Sequence, residues 1–209
     1  KPSEIVQVLN GSMKAEDSKL FQNYNMFMAY VDELRTMGVR TNSDTPVDVR
    51  MAVKLVAEGI GLCRTEHMFF GGQRIISIRK MILANNKIDR EKALAELLPM
   101  QRGDFEEIFT ELNGLPATIR LLDPPLHEFL PNDHTSRHEM ALQLHISVEE
   151  IAQKIALLHE FNPMLGFRGC RLAIIYPEIL HMQVRAIIEA AINVKRRGIN
   201  VHPEIMIPL

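Results

Sequence analysis

Residues 59–70 read GIGLCRTEHMFF, and this stretch does most to limit what the chain can fold into. Ile60, Gly61, Leu62 and Cys63 form a short apolar run that gives way without transition to Arg64, Thr65, Glu66 and His67. So short a run, without polar alternation, belongs to a fully buried strand, the kind found in parallel sheets. Charged groups just past the carboxyl end of such a strand mark the active end of an α/β fold. The pattern returns twice. Residues 117–122 carry Arg120 and lead into Asp123, Pro124 and Pro125, and residues 164–167 are followed by Arg168 and Gly169. Three strands that each deliver an arginine predict one anion pocket, because guanidinium groups grip carboxylate and phosphate with paired, charge-assisted bonds. The competing reading of a single arginine is a surface ion pair, Arg64 with Glu66 for instance, and it weakens as the three positions match.

The surroundings fit a β/α alternation. A short strand is predicted over residues 39–42, and Thr45, Pro46 and Asp48 have the arrangement that starts a helix: cap, first-turn proline and capping-box acid. Ala52, Val53, Leu55 and Val56 supply its buried stripe, Gly59 is expected to end it, and the GIGLCR strand follows at once. Short loops of this kind favour parallel pairing with a right-handed crossover. Further helices are predicted over residues 20–37 and across most of 69–113, with a break at Asn85 and Asn86. Others are expected after Ser147 and after Pro177. The last strand is expected in residues 201–209. The expected fold is α/β: a partial (β/α)8 TIM-type barrel with about five parallel strands and extra helices inserted. It would span residues 20–209, truncated after about the fifth strand, with residues 1–19, including a β-like piece at 5–9, as a linker or the end of a preceding domain. A whole barrel of this type needs about 250 residues.

Composition narrows the function. With 46% hydrophobic residues a substantial core is available, and a net charge of −2 argues against a nucleic-acid binder. No stretch is apolar for long enough to span a bilayer, and no signal-peptide pattern opens the chain. Cys63 and Cys170 both lie in apolar contexts, so neither belongs to a disulfide framework, and a reduced, cytoplasmic setting is expected. His127, His134, His138 and His145 gather in the excursion after Pro124, but their spacing matches no familiar metal-ligand pattern, and no metal site is assigned.

At GLCRTEHMFF, RLLDPPLHEFLP, NPMLGFRGCRL and PEIMIPL the chain closely resembles the pyruvate, phosphate dikinase family, in the carboxyl-terminal barrel that binds phosphoenolpyruvate and pyruvate. VRTNSDTP is similar to the first barrel strand of that family. Phosphoenolpyruvate synthase and the first enzyme of the sugar phosphotransferase system share the R-T-E and G-[FW]-R patterns, whereas the HMFF extension and the DPPLHEFLP loop point to the dikinase. The resemblance implies substrate-binding roles for Arg64, Arg120 and Arg168, which match the family's motif arginines. It also implies reversible phosphoryl transfer from a phosphohistidine domain, ATP as the original donor, and Mg²⁺.

The family's magnesium ligands and its proton-donating cysteine lie in segments this chain does not contain, so no complete catalytic set is expected here, and Cys63 and Cys170 match other positions. A fragment of this kind should be inactive alone and should form a homodimer or self-associate through its open strand edges. Two other readings remain: a non-catalytic phosphate-binding or interaction module that keeps the scaffold, and a small complete enzyme with Glu66 and His67 as its acid–base pair.

Overall fold

A computed structural model describes residues 2–159, 162 and 164–209. Its centre is a parallel sheet of β1 (Thr41–Asn42), β2 (Ile60–Arg64), β3 (Pro116–Arg120) and β4 (His202–Met206), paired in that order. Helices connect the strands, so the fold is α/β, a partial β/α barrel. Four strands, not five, are found among the described residues.

One face of the sheet carries Ile60, Cys63, Ala117 and Ile119, all fully buried. They pack on Val49 of α3 (Pro46–Lys54), on Phe105, Ile108 and Phe109 of α5 (Lys87–Leu112), and on Ala186, Ile187 and Ala190 of α9 (Pro177–Arg196). Thr118 and Arg120, alternating with these along β3, turn to the other face. The register of β2 against β3 shifts between Ile60 and Cys63. That irregularity places both residues on the buried face although they are three apart.

Local chemistry explains the unit that leads into β2. The Thr45 hydroxyl accepts from the Asp48 amide at 3.2 Å and donates to its carboxylate at 2.7 Å, and Pro46 takes the first helical position. The helix ends at Lys54, earlier than expected, and Val56 takes φ 63°. Gly59 adopts φ 143°, and a Cβ there would lie 2.5 Å from the Pro116 carbonyl oxygen, so only glycine lets β3 start alongside.

The remaining helices, α1 (Glu4–Leu9), α2 (Lys19–Leu34), α4 (Gly72–Leu83), α6 (His134–Leu144), α7 (Val148–Leu158) and α8 (Gly169–Ile175), lie outside that layer. A second apolar cluster joins Ile78 and Met81 of α4, Leu94 and Leu97 of α5, Met140, Ile151, Leu172 and Phe129. The excursion after β3 is therefore packed, and it is tied in by Arg90 of α5. That side chain donates to Glu178 at 2.5 Å and stacks 4.0 Å from the Tyr176 ring centroid.

Two expectations need correction. Residues 164–167 form a turn and a bend, not a strand, and Arg168 is the N-cap of α8. The place beside β3 is taken by β4, which pairs along its whole length, and the Arg168 amide bonds locally to the Gly166 carbonyl at 3.0 Å. Residues 5–9 are helical in α1, capped by Ser3, not β-like. The helical stretch expected over residues 69–113 is found as α4 and α5 with the break at Asn85 and Asn86, and the 26 residues of α5 continue through Pro99.

Candidate functional site

Arg64 and Arg120 are register partners at the carboxyl ends of adjacent parallel strands, so their backbones stand about 4.8 Å apart. Arg120 donates to Glu66, and its Nη1 lies 3.2 Å from Asp123 Oδ2. Arg168 reaches the same carboxylate from α8: Nη2 donates to Oδ2 at 2.7 Å and Nε to Oδ1 at 3.2 Å. Asp123 therefore joins Arg120 to Arg168. On the other side Asp44, from the loop after β1, accepts the Arg64 amide at 2.6 Å, and its Oδ2 lies 2.7 Å from His67 Nδ1 and 3.5 Å from Arg64 Nη1.

The Arg64–Glu66 pair offered as the competing reading is replaced by others: Glu66 turns to Arg120 and Arg64 to Asp44. Three guanidinium groups thus face three carboxylates. The carboxylates lie deeper, with Glu66 and Asp123 side chains 7% and 9% exposed, against 33%, 22% and 21% for Arg64, Arg120 and Arg168. The guanidinium groups are thus partly exposed above more deeply buried carboxylates that hold them in place. Nε of Arg120 and Oε2 of Glu66 are buried and have no hydrogen-bond partner among the described residues. A buried donor left in that state costs about 1–3 kcal/mol, which an incoming acceptor would recover.

Backbone shape closes the site. Gly169 has φ 56°, and a Cβ on it would meet the Pro208 carbonyl oxygen at 2.9 Å. The Gly169 amide bonds to the Asp123 carbonyl at 3.1 Å and the Cys170 amide to the Pro208 carbonyl at 2.8 Å. The exits of β3 and β4 and the start of α8 therefore meet at one glycine, the close approach its position in NPMLGFRGCRL predicts.

Burial, with the nearby charges of Asp44 and Glu66, pushes the Cys63 thiol up to about 12, so it stays protonated near neutral pH. Both cysteines are free. No group of three or more histidine, cysteine or acidic side chains is poised to hold a metal among the described residues. The carboxylates that line the site are committed to guanidinium groups. Mg²⁺ takes carboxylate and substrate oxygens in near-octahedral geometry, and the residues present do not fit it.

Three members of this arrangement escaped sequence reasoning. Asp44 was visible only as a loop residue. Asp123 stood in the quoted DPP loop without a role. Gln183, which donates to Thr65 Oγ1 at 3.0 Å between Arg64 and Glu66, is a polar letter inside the buried stripe of α9, between Ile179 and Ile187, and that misfit was the available signal.

Four parallel strands with helices between them and arginines gathered at their carboxyl ends define a partial β/α barrel domain. The family model described as the PEP-binding domain of PEP-utilising enzymes matches residues 18–209, and the chain belongs to that family. Among curated proteins it is 52% identical over 204 residues to pyruvate, phosphate dikinase of Clostridium symbiosum and 55% identical over 204 residues to that of Rhizobium meliloti (strain 1021). It is 50% identical over 205 residues to the chloroplastic pyruvate, phosphate dikinase 1 of Arabidopsis thaliana. Each match covers 97% of this chain and 21–23% of the relative, so the chain spans less than a quarter of their length.

Proposed function

We propose that the chain is part of a pyruvate, phosphate dikinase, and that Arg64, Arg120 and Arg168 hold the phosphoryl and carboxylate groups of phosphoenolpyruvate. The parent enzyme interconverts ATP, pyruvate and phosphate with AMP, phosphoenolpyruvate and diphosphate through a phosphohistidine. One observation carries the site reading: register places Arg64 beside Arg120, and Asp123 links Arg120 to Arg168.

The chemistry suits the geometry. Phosphoryl transfer gains mainly from positioning and from neutralising charge on the transferred group, which fixed guanidinium groups supply. Oriented arginines add bidentate selectivity for planar carboxylate and for phosphate oxygens. Residues 20–209 form the barrel part of this unit, with residues 1–19 as its lead-in. The magnesium ligands and the enolate's proton donor come from other parts of the parent enzyme, so the chain alone is inactive. A phosphohistidine domain is its functional partner, and the setting is cytoplasmic, consistent with two free thiols. Ile205, Ile207 and Leu209 are exposed on and just past β4, which supports self-association or a homodimer.

Calorimetric titration of phosphoenolpyruvate into the 209-residue chain tests the site. Arg120→Met should weaken binding by about 30-fold or more, the usual cost of removing one partner of a buried charge pair. Unchanged affinity in that variant refutes the pocket, and measurable dikinase turnover by the isolated chain refutes its dependence on the rest of the enzyme.

A further inference from the structure

Gln183 lies on α9, 2% exposed, and touches none of the three arginines in the bonds described above. Its carboxamide is used at both ends. Nε2 donates to Thr65 Oγ1 at 3.0 Å, and Oε1 accepts from the Leu122 amide at 2.9 Å. Thr65, itself fully buried, sits between Arg64 and Glu66. Leu122 sits two residues past Arg120 and next to Asp123. The last paired residues of β2 and β3 are Arg64 and Arg120. Gln183 therefore bridges the two segments just where their ladder ends.

We propose that Gln183 is a positioning residue for the anion pocket. Its amide sets the spacing of the loops that carry Arg64, Glu66, Arg120 and Asp123, and through them the affinity for a phosphorylated carboxylic acid. The inference rests on the pocket reading given above.

Three physical points carry it. The amide is anchored on a rigid base, because Ala186, Ile187 and Ala190 of the same helix are buried under the sheet. An amide of this length offers one donor face and one acceptor face, matched here to an oxygen that accepts and an N–H that donates. Side chains that grip a ligand must be held within about 0.5 Å of their productive positions by neighbours that are themselves locked. Without Gln183 the Leu122 amide loses its bond, and among the described residues the two loops are joined to each other only through the pair of Arg120 with Glu66.

The test is titration of phosphoenolpyruvate into the 209-residue chain, with thermal unfolding followed in parallel. Gln183→Met keeps the volume and removes both bonds, and should weaken binding about tenfold or more, since a 1 Å misplacement can cost about 100-fold. Thr65→Val should weaken binding in the same direction, and Thr65→Ser, which keeps the hydroxyl, should restore it. In the double variant the two losses should combine to less than their product, as expected for partners in one bond. Wild-type affinity in Gln183→Met overturns the positioning role. If that variant does not fold, equal affinities for Thr65→Val and Thr65→Ser overturn it instead. Arg120→Met separates the two claims. Its failure to weaken binding sinks the pocket and the inference together, whereas a loss there with none in Gln183→Met sinks the inference alone.

Discussion

Arg40 and Arg120 both serve the open face of one sheet, and each pairs with a carboxylate contributed from elsewhere in the fold. Arg40 comes just before β1 and crosses β2 at Gly61, where a Cβ would lie 3.3 Å from its own. Its Nη1 and Nη2 donate to the two oxygens of Glu204 on β4, at 2.5 and 3.2 Å, and Thr118 of β3 donates to the same carboxylate at 2.6 Å. That network is closed: the carboxylate sits in a fork with a third donor beside it. At the strand tips the balance differs. Asp123 is shared between Arg120 and Arg168, and Arg120 keeps a buried Nε without a protein acceptor. Where an arginine braces strands, its fork is paired to both oxygens of one carboxylate. At the strand ends a buried guanidinium donor is left over, which on the proposed reading serves a ligand.

The largest effect that separates the two regions should come from Gly169→Ala. With φ 56°, a side chain there costs about 1–2 kcal/mol from the left-handed backbone alone. The added Cβ, 2.9 Å from the Pro208 oxygen, must also push the β4 exit away from Asp123. Chemical denaturation should show that loss of stability, and phosphoenolpyruvate affinity should fall about tenfold or more as Arg168 shifts. An affinity equal to wild type would break the comparison, because the tips would then not depend on their close-packed backbone.

Much of this was legible in the sequence because strand identity and strand polarity are local. The β2 run announces itself by unbroken apolar letters and β3 by a short apolar run broken only at Thr118, and the arginine of each marks its exit. Parallel pairing follows from the short, capped helix between β1 and β2. Arg168 was legible as one of the clustered arginines but not as a helix cap, because the short apolar run before it resembles a strand. Whether such a run joins a sheet depends on which neighbour is free, and β4, some forty residues later, occupies that edge. The continuation of α5 through Pro99 has a related cause. Proline weakens a helix locally, and only packing against α4, α9 and α3 on successive turns holds α5 together. Asp44, Asp123 and Gln183 act between segments far apart in sequence, a relation no local pattern encodes.

A smaller effect tests the brace itself. The Glu204 carboxyl is held below the usual carboxylate range first by its bond from Arg40 and next by Thr118. A value depressed in the folded state gives stability that is present above the unfolded value, about 4.3, and is lost as pH falls through the folded one. Arg40→Met should therefore lower stability near neutral pH by a modest, salt-sensitive amount, because both partners are over a third exposed. The gap between variant and wild type should hold constant at higher pH and close below about pH 4. Phosphoenolpyruvate affinity should stay within about twofold, as for a site that shares no partner with the tip arginines. Were Arg40→Met to weaken binding as much as Arg120→Met, the open face would be one continuous charged surface, and the division between bracing and receiving arginines would have to be abandoned.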